Sequence, residues 1–197
     1  MLKPDVTLYF VRHGETDWNL AQRYQGWRDI PLNATGRAQA TRNGRALAEA
    51  LGKDAAGFDY RASPLLRARE TMEIVRRELG LYPTGYETDE RLLELHYGHW
   101  EGLLWSELPA IDPEGFAARK LDAWEWQPRG GESYRMLSER VARWVSEIER
   151  SAVVAAHGGV SRVLRGLVLG LAGAEVPMLP VPQDKVLVVR ASGIAWL

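Results

Sequence analysis

Residues 8–19 read LYFVRHGETDWN. A run of β-type apolar residues, Leu8 to Val11, ends abruptly in a cation, an imidazole and a glycine. A strand leaving the core at a turn would account for any single Arg-His-Gly, with Gly14 as punctuation and Arg12 and His13 solvated. The rest of the chain argues against that account, because the event recurs. Ala152 to Ala156, a continuous apolar run suited to a strand buried on both faces, breaks into His157-Gly158-Gly159. Phe58 to Ala62, a second short strand, breaks into Ser63-Pro64 with Arg67 close behind.

Between these strands lie helical patterns. Asn33 can cap a helix running to about Leu51, with Ala40, Leu47 and Leu51 on one face. Ser63 reads as an N-cap and Pro64 as the first helical position, ahead of Leu65, Ala68, Met72, Val75 and Leu79 at helical spacing. Leu137, Val141, Trp144, Val145 and Ile148 mark another helix, and Val160, Val163, Leu164, Leu167 and Leu171 a fourth. Val186 to Val189 and Ile194 to Leu197 supply the last strands. Alternating strands and helices predict an α/β architecture with a largely parallel sheet. From about 98 to 131 the pattern loosens, with Trp100, Trp105, Trp124 and Trp126 among Pro109, Pro113 and Pro128. This segment is expected to be an insertion in one domain spanning 1–197, covering the site.

Bulk properties narrow the function. A chain of 197 residues, 46% of them hydrophobic, can bury one sizeable core. With 25 Lys+Arg against 26 Asp+Glu there is no global field to recruit nucleic acid or an anionic membrane. The absence of cysteine excludes disulfides and thiolate metal sites. MLKPDVTLYFV is too short and too interrupted an apolar run for a signal peptide, and VLRGLVLGLAGA, cut by Arg165, is no membrane span. A cytoplasmic protein is expected, with no nucleic-acid or membrane partner.

In an open α/β sheet ligands sit beyond the carboxyl ends of the strands, so the three polar strand ends can share one crevice. Helix starts and glycines there, Gly158 among them, offer backbone N–H groups to an anion. Arg12 and Arg67 add planar forks that match phosphate oxygens. Surrounding positive charge favours neutral imidazoles, and a neutral His13 could attack phosphorus if its other nitrogen were held as an N–H donor. The leaving alkoxide then needs a general acid. Residues 92–102, LLELHYGHWEG, hold the candidate Glu94, and with Asp89, Glu90 and Glu101 close by, spacing alone does not choose among the carboxylates. His96 and His99 lack the spacing that puts two metal ligands on one helical face.

VRHGETDWN, YQGWRDIPLNATGRAQA, ASPLLRARET, ELHYGHWEG, RGGES and AAHGG, in that order, resemble the histidine phosphatase (phosphoglycerate mutase-like) superfamily across nearly the whole chain. The resemblance implies a three-layer α/β/α sandwich with a mostly parallel central sheet and catalysis through a phosphohistidine on His13. It implies a phosphate pocket of Arg12, Arg67 and His157, and it selects Glu94 as proton donor. Asn19 falls on a phosphate-contacting position, and Gln25 and Gly26 lie at the rim. No metal or organic cofactor is implied.

Two enzymes share this chemistry. A phosphatase acting on small-molecule phosphate esters gives the phosphoryl group to water. A phosphoglycerate mutase returns it to a bound hydroxyacid, which requires holding a carboxylate and excluding water. The Trp-rich insertion, with only Arg119, Lys120 and Arg129 as cations, and the ending at GIAWL favour the phosphatase. A noncatalytic phosphate-binding module would not need every catalytic residue type, and a metal hydrolase would have to be built on four histidines.

Overall fold

In the computed structural model, which describes residues 2–197, six strands form one sheet in the order β3-β2-β4-β1-β5-β6. In chain order the elements are β1 (Thr7–Arg12), α1 (Asp17–Leu20), α2 (Ala34–Leu51), β2 (Asp59–Ala62), α3 (Leu66–Glu78) and β3 (Glu87–Thr88). They continue with α4 (Leu108–Ile111), α5 (Pro113–Leu121), α6 (Tyr134–Ser146), β4 (Ala152–Ala156), α7 (Gly158–Leu169), β5 (Val186–Arg190) and β6 (Gly193–Trp196). Strands β3, β2, β4 and β1 run parallel; β5 is antiparallel to β1 and β6 to β5.

Side-chain alternation along the strands builds the three layers. Leu8 and Phe10 of β1 join Val154 and Ala156 of β4 in a core shared with α6 and α7, including Leu137, Trp144, Val160 and Leu164. Val11 joins Val153, Ala155 and Ala62 on the other face, against Leu47, Met72 and Val75 of α2 and α3. Because β4 lies between β1 and β2 with helices on both faces, every one of its residues is buried, which accounts for its continuous apolar run.

Two local expectations need correction. Ser63 does not cap α3: that helix begins at Leu66, with Leu65 extended at the cap position. The Ser63 hydroxyl is held by His157 instead, and the free N–H of Leu66 finds the Asp29 carboxylate at 2.6 Å. Leu171 is not part of α7, because Gly170 turns left-handed at φ 63° and ends the helix, whereas Leu167 lies in it as expected. Asn33 caps α2 as expected, its side chain accepting from Gly36 N at 2.9 Å.

The register of β1 on β4 pairs Arg12 with Ala156, and the His13 amide donates to the Ala156 carbonyl at 2.8 Å. His13 and His157, the next residue of each strand, therefore emerge side by side. Ser63 follows β2 in the same row, its amide bonded to the Ala155 carbonyl at 3.0 Å. Among the described residues no helix is long and apolar enough to cross a membrane.

Candidate active site

The three strand ends converge. The rings of His13 and His157 lie 5.2 Å apart, centroid to centroid, beneath a cavity of about 180 Å³. Arg12, His13, Asn19, Gln25, Gly26, Arg67, Glu94 and Gly158 all line it. His157 is fully buried just behind this wall.

Each ring has one nitrogen already committed. His13 Nδ1 lies 2.7 Å from the Gly14 carbonyl, which can only accept, so the proton sits on Nδ1 and the lone pair on Nε2. Gly14 is fixed by packing: a Cβ there would collide with the Gly36 carbonyl at the start of α2. His157 Nε2 lies 2.7 Å from Ser63 Oγ. With that hydroxyl, which accepts from Leu65 N at 3.4 Å, as the donor to Nε2, the ring proton is on His157 Nδ1, which is buried without a protein partner. Both imidazoles are held well below their ordinary pKa, first by burial and then by Arg67, with Arg12 also acting on each. Both are neutral at physiological pH.

The guanidiniums are anchored by backbone carbonyls. Arg67, second residue of α3 and fully buried, donates to the Arg28 carbonyl at 2.7 Å and the Gly26 carbonyl at 2.8 Å. Arg12 donates to the Val181 carbonyl. Burial lowers both to about 10, with Glu94 opposing the shift, so both stay charged. The Nε atoms of Arg12 and Arg67 are buried without a partner, like His157 Nδ1. Unsatisfied buried donors each cost about 1–3 kcal/mol, and three of them around one small cavity call for an oxyanion.

Glu94 lines the same cavity. One of its oxygens accepts from Leu95 N at 2.8 Å and from Gly159 N, in the first turn of α7, at 3.0 Å. Its backbone carbonyl is held by Trp27 Nε1 at 2.8 Å and Arg140 Nη2 at 2.9 Å. Of the competing carboxylates, Asp89 is bound to Arg91 and Glu101 is spent on the amides of Trp27 and Tyr97. Asn19 caps the start of α1 through a capping box with Thr16, and Gln183 links its side-chain oxygen at 3.2 Å to the His13 carbonyl at 3.1 Å. Gln25 is bound by the Thr16 hydroxyl at 2.9 Å.

Sequence reasoning missed Arg23, Tyr24, Tyr97, Arg162 and Val181, which also line the cavity. A signal existed for Arg162, which stands four residues after Gly158 and so on the same face of α7. None of residues 98–131 lines the cavity. The segment reaches its mouth through a bridge between Leu104 and Arg23 and through Trp105, 5.9 Å from the ring of Tyr24. Trp100 is fully buried, with Trp126 stacked on it at 4.2 Å. His99 binds Asp112 and His96 stacks on Trp27, so neither reaches the cavity. Among the described residues no group of three or more His, Asp or Glu is placed to hold a metal ion.

Comparison with known proteins agrees with this geometry. Residues 8–196 match the family model of the histidine phosphatase superfamily, branch 1. A 2,3-bisphosphoglycerate-dependent phosphoglycerate mutase of Methylobacterium radiotolerans is 35% identical, over 93% of this chain and 88% of its own. A glucosyl-3-phosphoglycerate phosphatase of Mycobacterium tuberculosis is also 35% identical, over 87% and 79%. Among solved structures, a mycobacterial glucosyl-3-phosphoglycerate phosphatase in complex with VO3 superposes with a TM-score of 0.77 at 30% identity, covering 98% of this chain and 96% of that one. A protein of Thermus thermophilus gives 0.70 at 36%, covering 93% of each. The chain is a member of the histidine phosphatase superfamily.

Proposed function

We propose that this chain is a phosphomonoesterase acting through a phosphohistidine on His13, with Glu94 as proton donor. The observation that carries the reading is the set of three buried, unpartnered nitrogens on Arg12, Arg67 and His157 around the free Nε2 of His13. The Nε2 lone pair forms the N–P bond as the ester P–O bond breaks, and Glu94 protonates the departing oxygen. Water then attacks phosphorus while the Glu94 carboxylate takes its proton; the N–P bond breaks, releasing inorganic phosphate and a neutral ring. Arg12, Arg67, His157 Nδ1 and backbone N–H groups hold the charge that develops on the equatorial oxygens. A relative complexed with VO3, an oxyanion of similar make-up, supports the phosphate assignment.

Relatives are named both mutase and phosphatase at equal identity, so the fate of the phosphoenzyme is the point to test. The cations of the insertion favour water as acceptor: Arg119 lies over Trp105 and Lys120 over Phe116, and neither they nor Arg129 line the cavity. The experiment measures phosphate release from a panel of metabolite esters, beside conversion of 3- to 2-phosphoglycerate primed with bisphosphoglycerate. Wild type should release phosphate and yield an acid-labile phosphoenzyme, and His13→Ala should do neither. Conversion much faster than release would make the protein a mutase.

A further inference from the structure

The carboxylate of Glu101 does not line the cavity, yet it ties together the two loops that carry the reacting groups. Only 6% of its side chain is exposed. Its Oε1 accepts from Trp27 N at 2.9 Å and from Tyr97 N at 3.3 Å, and His96 Nε2 stands 3.4 Å from the same oxygen. Arg28 Nε lies 3.6 Å from Oε2. The first amide belongs to the loop 26–28, where the carbonyls on either side of Trp27, those of Gly26 and Arg28, anchor Arg67. The second belongs to the stretch 94–97, which carries Glu94. The carboxylate packs so closely on the first loop that a Cβ at Gly26 would overlap it.

Trp27 carries the tie on to Glu94. Its amide is fixed by Glu101, its indole Nε1 donates to the Glu94 carbonyl at 2.8 Å, and its ring stacks on His96 at 4.5 Å. Arg140 holds the same carbonyl from α6, and so sets Glu94 against a helix and not against the phosphate clamp. Proton transfer depends on the clamp. Arg67 helps to fix where phosphorus sits, and the leaving oxygen is within reach of Glu94 only if the two loops keep their spacing. A misplacement of about 1 Å can cost about 10²-fold in rate.

Resting on the phosphatase reading, in which Glu94 gives the proton, we propose that Glu101 is a positioning residue: through Trp27 and Tyr97 it holds the carboxyl of Glu94 in register with the guanidinium of Arg67. The role requires one oxygen that accepts from both amides.

The test uses the full chain and three variants. Glu101→Ala removes the acceptor for both amides, Glu101→Gln keeps an oxygen for them, and Trp27→Phe keeps a ring and the amide but loses the bond to the Glu94 carbonyl. Each is assayed on alkyl phosphates, whose leaving oxygen needs the proton, and on p-nitrophenyl phosphate, whose phenolate leaves unaided. Glu101→Ala should lose about 10²-fold in kcat on the alkyl esters and far less on p-nitrophenyl phosphate. Glu101→Gln should recover most of that loss, and Trp27→Phe should show a smaller loss of the same kind. Hydrogen exchange at Gly159 N–H reads the position of Glu94 without turnover, because that amide, in the first turn of α7, is held by Glu94 Oε1 at 3.0 Å. Its exchange should quicken about tenfold or more in Glu101→Ala, the loss of a hydrogen bond to a charged group. If wild type hydrolyses no ester the phosphatase reading fails, and exchange at Gly159 still decides whether Glu101 positions Glu94. Equal losses on the two kinds of ester, an unchanged Gly159 amide, or a Gln variant as impaired as the Ala variant would overturn the assignment. Melting temperatures show which variants fold; if Glu101→Ala does not, Trp27→Phe, at a partly exposed side chain, decides by the same two measurements.

Discussion

Ser63→Ala tests the arrangement of the site at its least obvious member. Ser63 and His157 are both fully buried, and their side chains meet at 2.7 Å. Removing the hydroxyl strands Nε2 as a buried acceptor, a cost of about 1–3 kcal/mol. In a chain of this size 1 kcal/mol is about 2–4 °C in Tm, so Tm should fall by roughly 2–12 °C. The effect on catalysis has a separate origin. Without Ser63 the imidazole proton is free to move from Nδ1 to Nε2, and the ring then presents a lone pair to the phosphoryl oxygens in place of an N–H. Loss of a hydrogen bond to a charged group is worth about 1.5–3 kcal/mol, or roughly 10–150-fold in kcat/KM. The assay is hydrolysis of p-nitrophenyl phosphate beside thermal melting, with nitrogen NMR of His157 reporting which ring atom bears the proton. A variant that melts lower but keeps kcat/KM within about twofold, the scatter of ordinary surface substitutions, refutes the role given to His157 Nδ1.

Four further outcomes are expected. Glu94→Gln keeps an acceptor for Leu95 N and Gly159 N but has no proton to give, so alkyl phosphates should lose about 10²–10⁴ in kcat while p-nitrophenyl phosphate, whose phenolate leaves unaided, loses far less; equal losses would remove Glu94 from the acid role. Burial holds His13 and His157 neutral in the fold, whereas the unfolded chain protonates both below about pH 6.5. Stability should therefore fall as pH drops through that value, by up to about 1.4 kcal/mol per pH unit for each ring, and urea midpoints for wild type and His157→Asn check the slope. Gly26→Ala puts a Cβ against the Glu101 carboxylate at φ 51°, in a loop whose carbonyls at 26 and 28 anchor Arg67. It should cost about 1–2 kcal/mol of stability and lower kcat/KM, read by melting and the same hydrolysis assay. EDTA should leave turnover unchanged; a loss restored by a divalent cation would show that the site depends on metal.

The layers of the fold were legible because burial writes period 2 and period 3.6 into the chain: Leu8 and Phe10 against Val11, and Ala68, Met72 and Val75 along α3. The convergence of Arg12, Arg67 and His157 was legible for a related reason, since polar residues at the carboxyl ends of parallel strands have nowhere to gather but one crevice. Ser63 was misread because serine before proline has the same local signature whether it caps a helix or binds a ring 94 positions away. Arg162 was passed over because a guanidinium on a helix face looks solvated until the loops that cover it are known. Leu179 and Val181, whose carbonyls hold Arg162 and Arg12, lie in a stretch between α7 and β5 with no periodicity to read.

That dependence on loops follows from what the site has to keep. An arginine oriented by a carboxylate is largely neutralised by it, and little of its charge remains for a ligand. A carbonyl orients the same fork through its dipole and leaves the charge intact. Arg12, Arg23, Arg67 and Arg162 all use carbonyls, at Val181, Gly102, Gly26 with Arg28, and Leu179. Arg140, which steadies the Glu94 loop through the carbonyls of Arg91 and Glu94 and does not line the cavity, is paired with Glu132 at 2.9 Å. Carbonyls carry no residue identity, so the devices that keep the pocket cationic leave no mark in the sequence, whereas the ion pair that fixes its wall does. Replacing a carbonyl anchor with a nearby acid should therefore hurt more than removing it: Val181→Asp, beside Arg12, should weaken inhibition by inorganic phosphate or vanadate further than Val181→Gly, which loosens the anchor but adds no charge. Equal weakening by the two variants would mean that orientation, and not retained charge, is what the carbonyls supply.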